Sequence, residues 1–169
     1  MLEQFAAWLG KTPLSAFVAD QGWAVPAIQT IHILAISVLM GSVAIVNLRI
    51  LGLVERNQSI RALAVRFVPP SVVAIAVLAL TGFLLIASEP NRAIFRYVFW
   101  AKMSLLLIVV GLTGRLLAGL RRAGVYDQAQ ARAPIGLRMV SVISLLVWLG
   151  VIVTGRWIGY SEGWPGSPS

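Results

Sequence analysis

The sequence predicts an all-α integral membrane protein: a bundle of four transmembrane helices preceded by an interfacial amphipathic helix. Three observations lead there. Of the 169 residues 59% are hydrophobic and only 12% are charged, against about 25% charged in a soluble domain. Mean hydropathy is +0.87. Apolar stretches matching the roughly 20 residues that cross about 30 Å of hydrocarbon recur four times, near residues 26–48, 70–88, 95–117 and 137–160. A chain of this length then has no room for a separate soluble catalytic domain.

The first 22 residues mix Phe5, Trp8, Leu9, Leu14, Phe17 and Val18 with Glu3, Lys11 and Asp20, and Pro13 interrupts any continuous helix. This pattern suits a segment lying in the membrane interface. A cleaved signal peptide would open with a basic stretch, whereas Glu3 comes first here.

The membrane domain follows as residues 23–160. Trp23 anchors the first span at the interface, and Pro26 sits in its first turn, where a missing N–H costs nothing. After it, residues 49–68 carry Arg49, Arg56, Arg61 and Arg66 against Glu55. Residues 59–67 read as a short basic helix on the membrane surface, ended by Pro69 and Pro70. The second span runs from Pro70 to Ser88, a polar turn of residues 89–92 leads into the third, and a polar loop of residues 119–134 leads into the fourth. Residues 161–169, rich in Gly, Pro and Ser, form a flexible tail. Small residues recur in every span: Gly41 with Ser42, Thr81 with Gly82, Gly111 with Gly114, Gly150 with Gly155. They allow the close backbone approach that packs helices in lipid.

Arginines fix an expected orientation, because cytoplasmic loops are enriched in Arg and Lys. Arg49, Arg56, Arg61, Arg66, Arg115, Arg121, Arg122, Arg132 and Arg138 gather on one side; Lys11, Arg92 and Arg96 lie on the other. The expected location is a bacterial inner membrane with both termini periplasmic and an outward aromatic belt of Trp23, Trp100, Trp157, Tyr160 and Trp164. The net charge of +8 then reflects basic loops beside anionic lipid headgroups, and no nucleic-acid partner is expected.

Cysteine is absent, which excludes disulfides, thiolate metal sites and thiol nucleophiles. Glu3, Asp20, Glu55, Glu89, Asp127 and Glu162 all lie in termini or loops, so no span offers a carboxylate for a proton relay. No Walker A, H-E-x-x-H or G-x-S-x-G motif occurs. Hydrolysis therefore has no candidate residues, and any enzymatic role would be that of a redox or electron-transfer subunit.

Ionisable groups within spans mark the places to look for function. Arg115 sits at the inner end of its span and can snorkel to the headgroups. His32 lies about 9 Å, Lys102 about 10 Å and Arg156 about 6 Å below the outward ends of their helices at 1.5 Å per residue. These three form one outer-leaflet layer. Gln29, Met40 and Asn47 fall on the same side of the first helix as His32, giving an inward polar stripe. One imidazole with two cations suits an anionic or redox ligand. Imidazole can ligate haem iron or hydrogen-bond a quinone, while Lys and Arg can neutralise haem propionates or lipid phosphate. Met103, at similar depth, is a candidate second axial ligand to the iron of haem b. His32 is the sole histidine, so a bis-His haem within one chain is excluded. The plainer reading has His32 bonded to a neighbouring helix through Gln29 or a backbone carbonyl, with Lys102 and Arg156 snorkelling outward.

The stretches Ile31-His32-Ile33-Leu34 through Gly41 to Asn47-Leu48-Arg49-Ile50-Leu51-Gly52-Leu53, Phe95-Arg96 to Lys102-Met103, and Gly155-Arg156-Trp157-Ile158-Gly159-Tyr160 resemble a family of small bacterial four-span membrane proteins of unknown function, DUF6644. A looser similarity runs to copper-resistance CopD-like membrane domains. The resemblance implies the four-span architecture. Other members often carry an Asn and a His toward the inner end of the third span, where this chain has Gly111-Leu112-Thr113-Gly114-Arg115, which argues against a second haem on that side. Three functional readings result. The first is an inner-membrane accessory subunit holding haem b or quinone beside His32. The second is a copper-handling or small-solute transport component, with His32, Met40 and Met103 as ligands. The third is a non-catalytic scaffold. A homo-oligomer or a larger membrane complex is expected in each.

Overall fold

A computed structural model describes residues 2–90, 94–95, 97–129 and 132–157, apart from the side chains of Leu2, Glu3, Phe5, Leu14, Ala19, Arg156 and Trp157. Among the described residues six helices follow in order: α1 (Leu2–Gly10), α2 (Pro13–Asp20), α3 (Ala24–Leu51), α4 (Ile60–Ser88), α5 (Tyr97–Arg122) and α6 (Ile135–Trp157). The last four are long and apolar enough to cross a membrane. The chain is a multi-pass membrane protein built as a four-helix bundle, as its composition predicts.

The break at Pro13 separates α1 from α2. Thr12 caps α2, its hydroxyl accepting from the Ser15 N–H at 3.3 Å, and Pro13 occupies the first turn, where its fixed φ is helical already. The resulting hairpin rests on α4 and α3. Ala6, Leu9 and Val18 turn inward, while Trp8, Phe17 and Trp23 are exposed at this end of the bundle. Trp100 belongs to the same end, and its indole N–H donates to the Ile94 carbonyl at 3.0 Å. Tyr160, Trp164, Arg92, Arg96 and the tail 161–169 lie outside the described residues, as does the side chain of Trp157.

Helix α3 ends at Gly52, whose φ of 75° is a left-handed conformation natural to glycine. The N–H of Gly52 then reaches the Arg49 carbonyl and that of Leu53 the Leu48 carbonyl, both at 2.9 Å, closing the helix terminus.

The second span differs from expectation. Residues 59–67 are no separate surface helix: Ser59 caps α4 through the Ala62 N–H at 3.1 Å, and the helix continues through Pro69 and Pro70 to Ser88. Ile60, Leu63 and Ala64 are buried, so packing holds the first turns onto the bundle. Proline removes single backbone bonds within the helix, and the bonded turns on either side keep it going in a membrane setting. The third span likewise runs further than predicted, to Arg122, which shortens the following loop to residues 123–134.

Two antiparallel hairpins, α3 with α4 and α5 with α6, make up the bundle. Among the described residues, the backbones of these hairpins approach each other within the helices only along α3 and α6. At mid-bundle Leu39, Ala74, Val109, Trp148 and Val151 join all four helices in one apolar cluster. Nearer the arginine-rich end, Ser141 of α6 is fully buried. Its hydroxyl reaches the side-chain oxygen of Asn47 on α3 at 2.7 Å, and the Asn47 amide donates to the Val43 carbonyl at 2.9 Å. A second apolar cluster, including Ile50, Ile60, Leu116 and Leu120, closes this end. The backbone bond from Arg61 N–H to the Tyr126 carbonyl, 2.9 Å, and the exposed Arg61–Asp127 ion pair at 3.2 Å tie the first turn of α4 to the loop after α5.

Candidate functional site

His32 lies on α3, two turns in from the end that carries the α1–α2 hairpin, and is half-buried against α4. Its Nδ1 is 2.7 Å from Thr81 Oγ1. The Thr81 hydroxyl in turn donates to the Val77 carbonyl at 2.6 Å. A hydroxyl has one hydrogen, and here it is committed to its own helix. The Thr81 oxygen is therefore the acceptor and Nδ1 the donor, which assigns the tautomer from the hydrogen-bond network. In a neutral imidazole with Nδ1 protonated, Nε2 keeps its lone pair. No described residue donates to it.

Gly82, the next residue of α4, also lies beside the ring: a methyl group placed there would meet His32 Cε1 at 3.6 Å, an ordinary van der Waals contact. Thr81 fixes the ring's orientation, and the imidazole edge rests against the neighbouring turn of α4. The Thr81 contact replaces the predicted partners of His32, Gln29 or a backbone carbonyl. Gln29 is exposed, while Met40 packs on the mid-bundle cluster and Asn47 is buried. The polar stripe thus faces inward at Met40 and Asn47 but not at Gln29, because the segment near Gln29 is closer to the helix end, where fewer neighbours surround it.

Lys102 projects from the opposite hairpin and is half-buried. Its stem lies along Gly155 of α6, where an added methyl would meet Nζ at 3.5 Å and Cε at 3.7 Å. Its ammonium has no hydrogen-bond partner among the described residues. Just beyond it, Tyr97, Val98, Ala101, Val153 and Thr154 line an open depression of about 130 Å³ between α5 and α6. Met103 follows Lys102 by one residue and so points about 100° away around α5, into a different sector from the one Lys102 occupies. The side chain of Arg156 lies outside the described residues.

Together these positions give one acceptor nitrogen on α3 and one cationic donor on α5, brought to one end of the bundle by two hairpins. Thr81, Gly82 and Gly155 serve them directly. In the sequence they read as packing residues only, since nothing in a lone Thr-Gly step reveals which side chain of another helix it faces.

Residues 5–161 match the family of unknown function DUF6644. The chain belongs to that family. No curated protein and no solved structure matches it, so the function of this DUF6644 member is argued from its residues.

Proposed function

We propose that this DUF6644 protein is an inner-membrane accessory subunit that holds a quinone head group, in its reduced quinol form, between His32 Nε2 and Lys102 Nζ. The observation that carries the reading is the His32–Thr81–Val77 hydrogen-bond chain, which leaves Nε2 as an acceptor with no partner among the described residues. A quinol hydroxyl can donate to that lone pair, while a ring oxygen can accept from the lysine ammonium. A bound quinone would supply two-electron, two-proton redox capacity. The protein's own part is to orient the ring, keep one acceptor and one donor in place, and exclude water.

Haem b fits less well. His32 Nε2 can serve as one axial ligand, but Met103 is turned to another sector of α5, which leaves the second axial position without a ligand from this chain's described residues. A copper site is weaker still, because Met40 lies eight residues, about 12 Å, along α3 from His32. Among the described residues no cluster of three or more His, Cys, Asp or Glu side chains forms.

The test is the pigment and lipid content of gently solubilised protein. Solvent extraction should yield about one quinone per chain with no Soret absorbance. A stoichiometric Soret band would transfer the site to haem, and the lack of both would leave His32 and Lys102 as helix-packing groups.

The same reading places the arginine-rich end in the cytoplasm and both termini in the periplasm, on the bias of Arg between the two ends. Alkaline phosphatase fused after the C-terminal residue should be active, and a fluorescent protein fused there and exported by the general secretory route should stay dark. The opposite pair of results would invert the topology and put the His32 layer in the inner leaflet.

A further inference from the structure

At the arginine-rich end the bundle contains two partly or fully buried arginines, Arg49 and Arg138. Arg49 is not in the loop: it lies in the last turn of α3 and is only 3% exposed. Its Nε donates to the Gln58 carbonyl at 2.7 Å, but Nη2 is shielded from solvent and has no partner. Arg138, in the first turns of α6 and half-buried, sends Nη2 toward the Leu51 carbonyl at a long 3.4 Å, and its Nε is likewise shielded and unpartnered. Arg138 thus reaches the last turn of α3, the turn that carries Arg49, while the Arg49 guanidinium bonds the segment that follows that helix. Among the described residues neither meets a carboxylate: the nearest acids in sequence, Glu55 and Asp127, are bonded to Gln58 and Arg61.

Burying a guanidinium without a counter-charge is costly, and leaving its N–H groups unbonded adds to the cost. Water or carbonyls can satisfy a rim arginine, but two shielded, orphaned N–H groups on arginines gathered at one end of α3 point to an anion. Carbonyls at a helix C-terminus account for part of the arrangement, since cations are favourable there, yet they leave these two donors over. The planar fork of arginine matches phosphate oxygens two at a time. The long Arg138 bond leaves that side chain free to turn onto an incoming oxygen.

We infer that Arg49 and Arg138 form a binding site for a phosphate-ester oxyanion at the arginine-rich end of the bundle. The oxyanion has two possible sources, an anionic phospholipid headgroup and a soluble phosphate, and they are separable. The site is independent of the His32 layer.

The experiment is native mass spectrometry of the full chain released from detergent doped with phosphatidylglycerol, with phosphatidylcholine as the background and a parallel thermal-shift titration with inorganic phosphate. Retained phosphatidylglycerol without a phosphate shift identifies a lipid; a saturable phosphate shift without retained lipid identifies a soluble ligand; either supports the site. In Arg138→Gln and Arg49→Gln the signal should fall at least about tenfold, the loss of one charge-assisted interaction. It should persist in Arg121→Gln, which removes an exposed arginine stacked on Tyr126 at 5.1 Å. If Arg49→Gln does not fold, Arg138→Gln decides, with Arg138→Lys retaining charge but losing the fork. Equal retention in wild type and Arg138→Gln, a loss no larger than in Arg121→Gln, or no binding above the phosphatidylcholine background would overturn the proposal.

Discussion

In His32→Ala the quinone retained per chain should fall at least about tenfold, while the bundle stays folded. The argument rests on separating two contributions of one ring. Nδ1 makes an interhelical bond to Thr81, and such bonds in membranes contribute about 0.6 kcal/mol on average and at most about 1.7. Nε2 bonds no described residue, so its loss should register in ligand retention and not in stability. Thr81→Val is the control: it breaks the same helix–helix bond but keeps the imidazole. Quinone content after extraction and the thermal midpoint should therefore move differently in the two variants, with retention collapsing in His32→Ala and falling less in Thr81→Val. A purely structural histidine would make the two variants alike in both measurements.

Ser141→Leu should be the most damaging single change to the fold. Ser141 is fully buried on α6, at the one pair of helices that joins the two hairpins by close backbone approach. Its hydroxyl bonds both the side chain and the carbonyl of Asn47, at 2.7 and 3.2 Å. Leucine would orphan the Asn47 side-chain oxygen and force two additional heavy atoms between α3 and α6. Ser141→Ala removes only the hydrogen bonds, an effect of about 0.6–1.7 kcal/mol. The leucine variant should add about 1–3 kcal/mol of overpacking to that. Denaturation in mixed micelles should rank wild type, alanine and leucine in that order. A leucine variant as stable as the alanine one would mean that the α3–α6 contact does not hold the hairpins together.

The four spans were legible because hydrocarbon thickness sets a length that composition can meet or miss, and residues 26–48, 70–88, 95–117 and 137–160 all meet it. Their ends were less so. Pro69-Pro70 reads as a stop in water, but in the bundle the turns on both sides stay bonded, so the surface helix and the second span are one element. Arg49 reads as a loop charge because sequence shows only its neighbours in the chain; its burial comes from Gln58 folding back over it. The site was half legible. A histidine and a lysine within apolar spans announce themselves, and their shared depth follows from helical rise. What remained hidden was lateral: Thr81 and Gly82 face His32, Gly155 faces Lys102, and Met103 points elsewhere, because helix rotation is decided by packing between helices. Gln29 shows the same limit, since helical phase alone places it beside His32 while the helix end leaves it exposed.

Because His32 is the single histidine of the chain, labelling with ¹⁵N-histidine gives spectra of this ring alone, and the central claim can be read from its two nitrogens. The structure requires a proton on Nδ1 and a bare Nε2 in the resting protein. Titration with a short-chain quinol in lipid nanodiscs should then shift the Nε2 resonance in the direction of an accepted hydrogen bond, saturably, with Nδ1 nearly unmoved. A proton found on Nε2, or an Nε2 signal indifferent to quinol, would contradict the account.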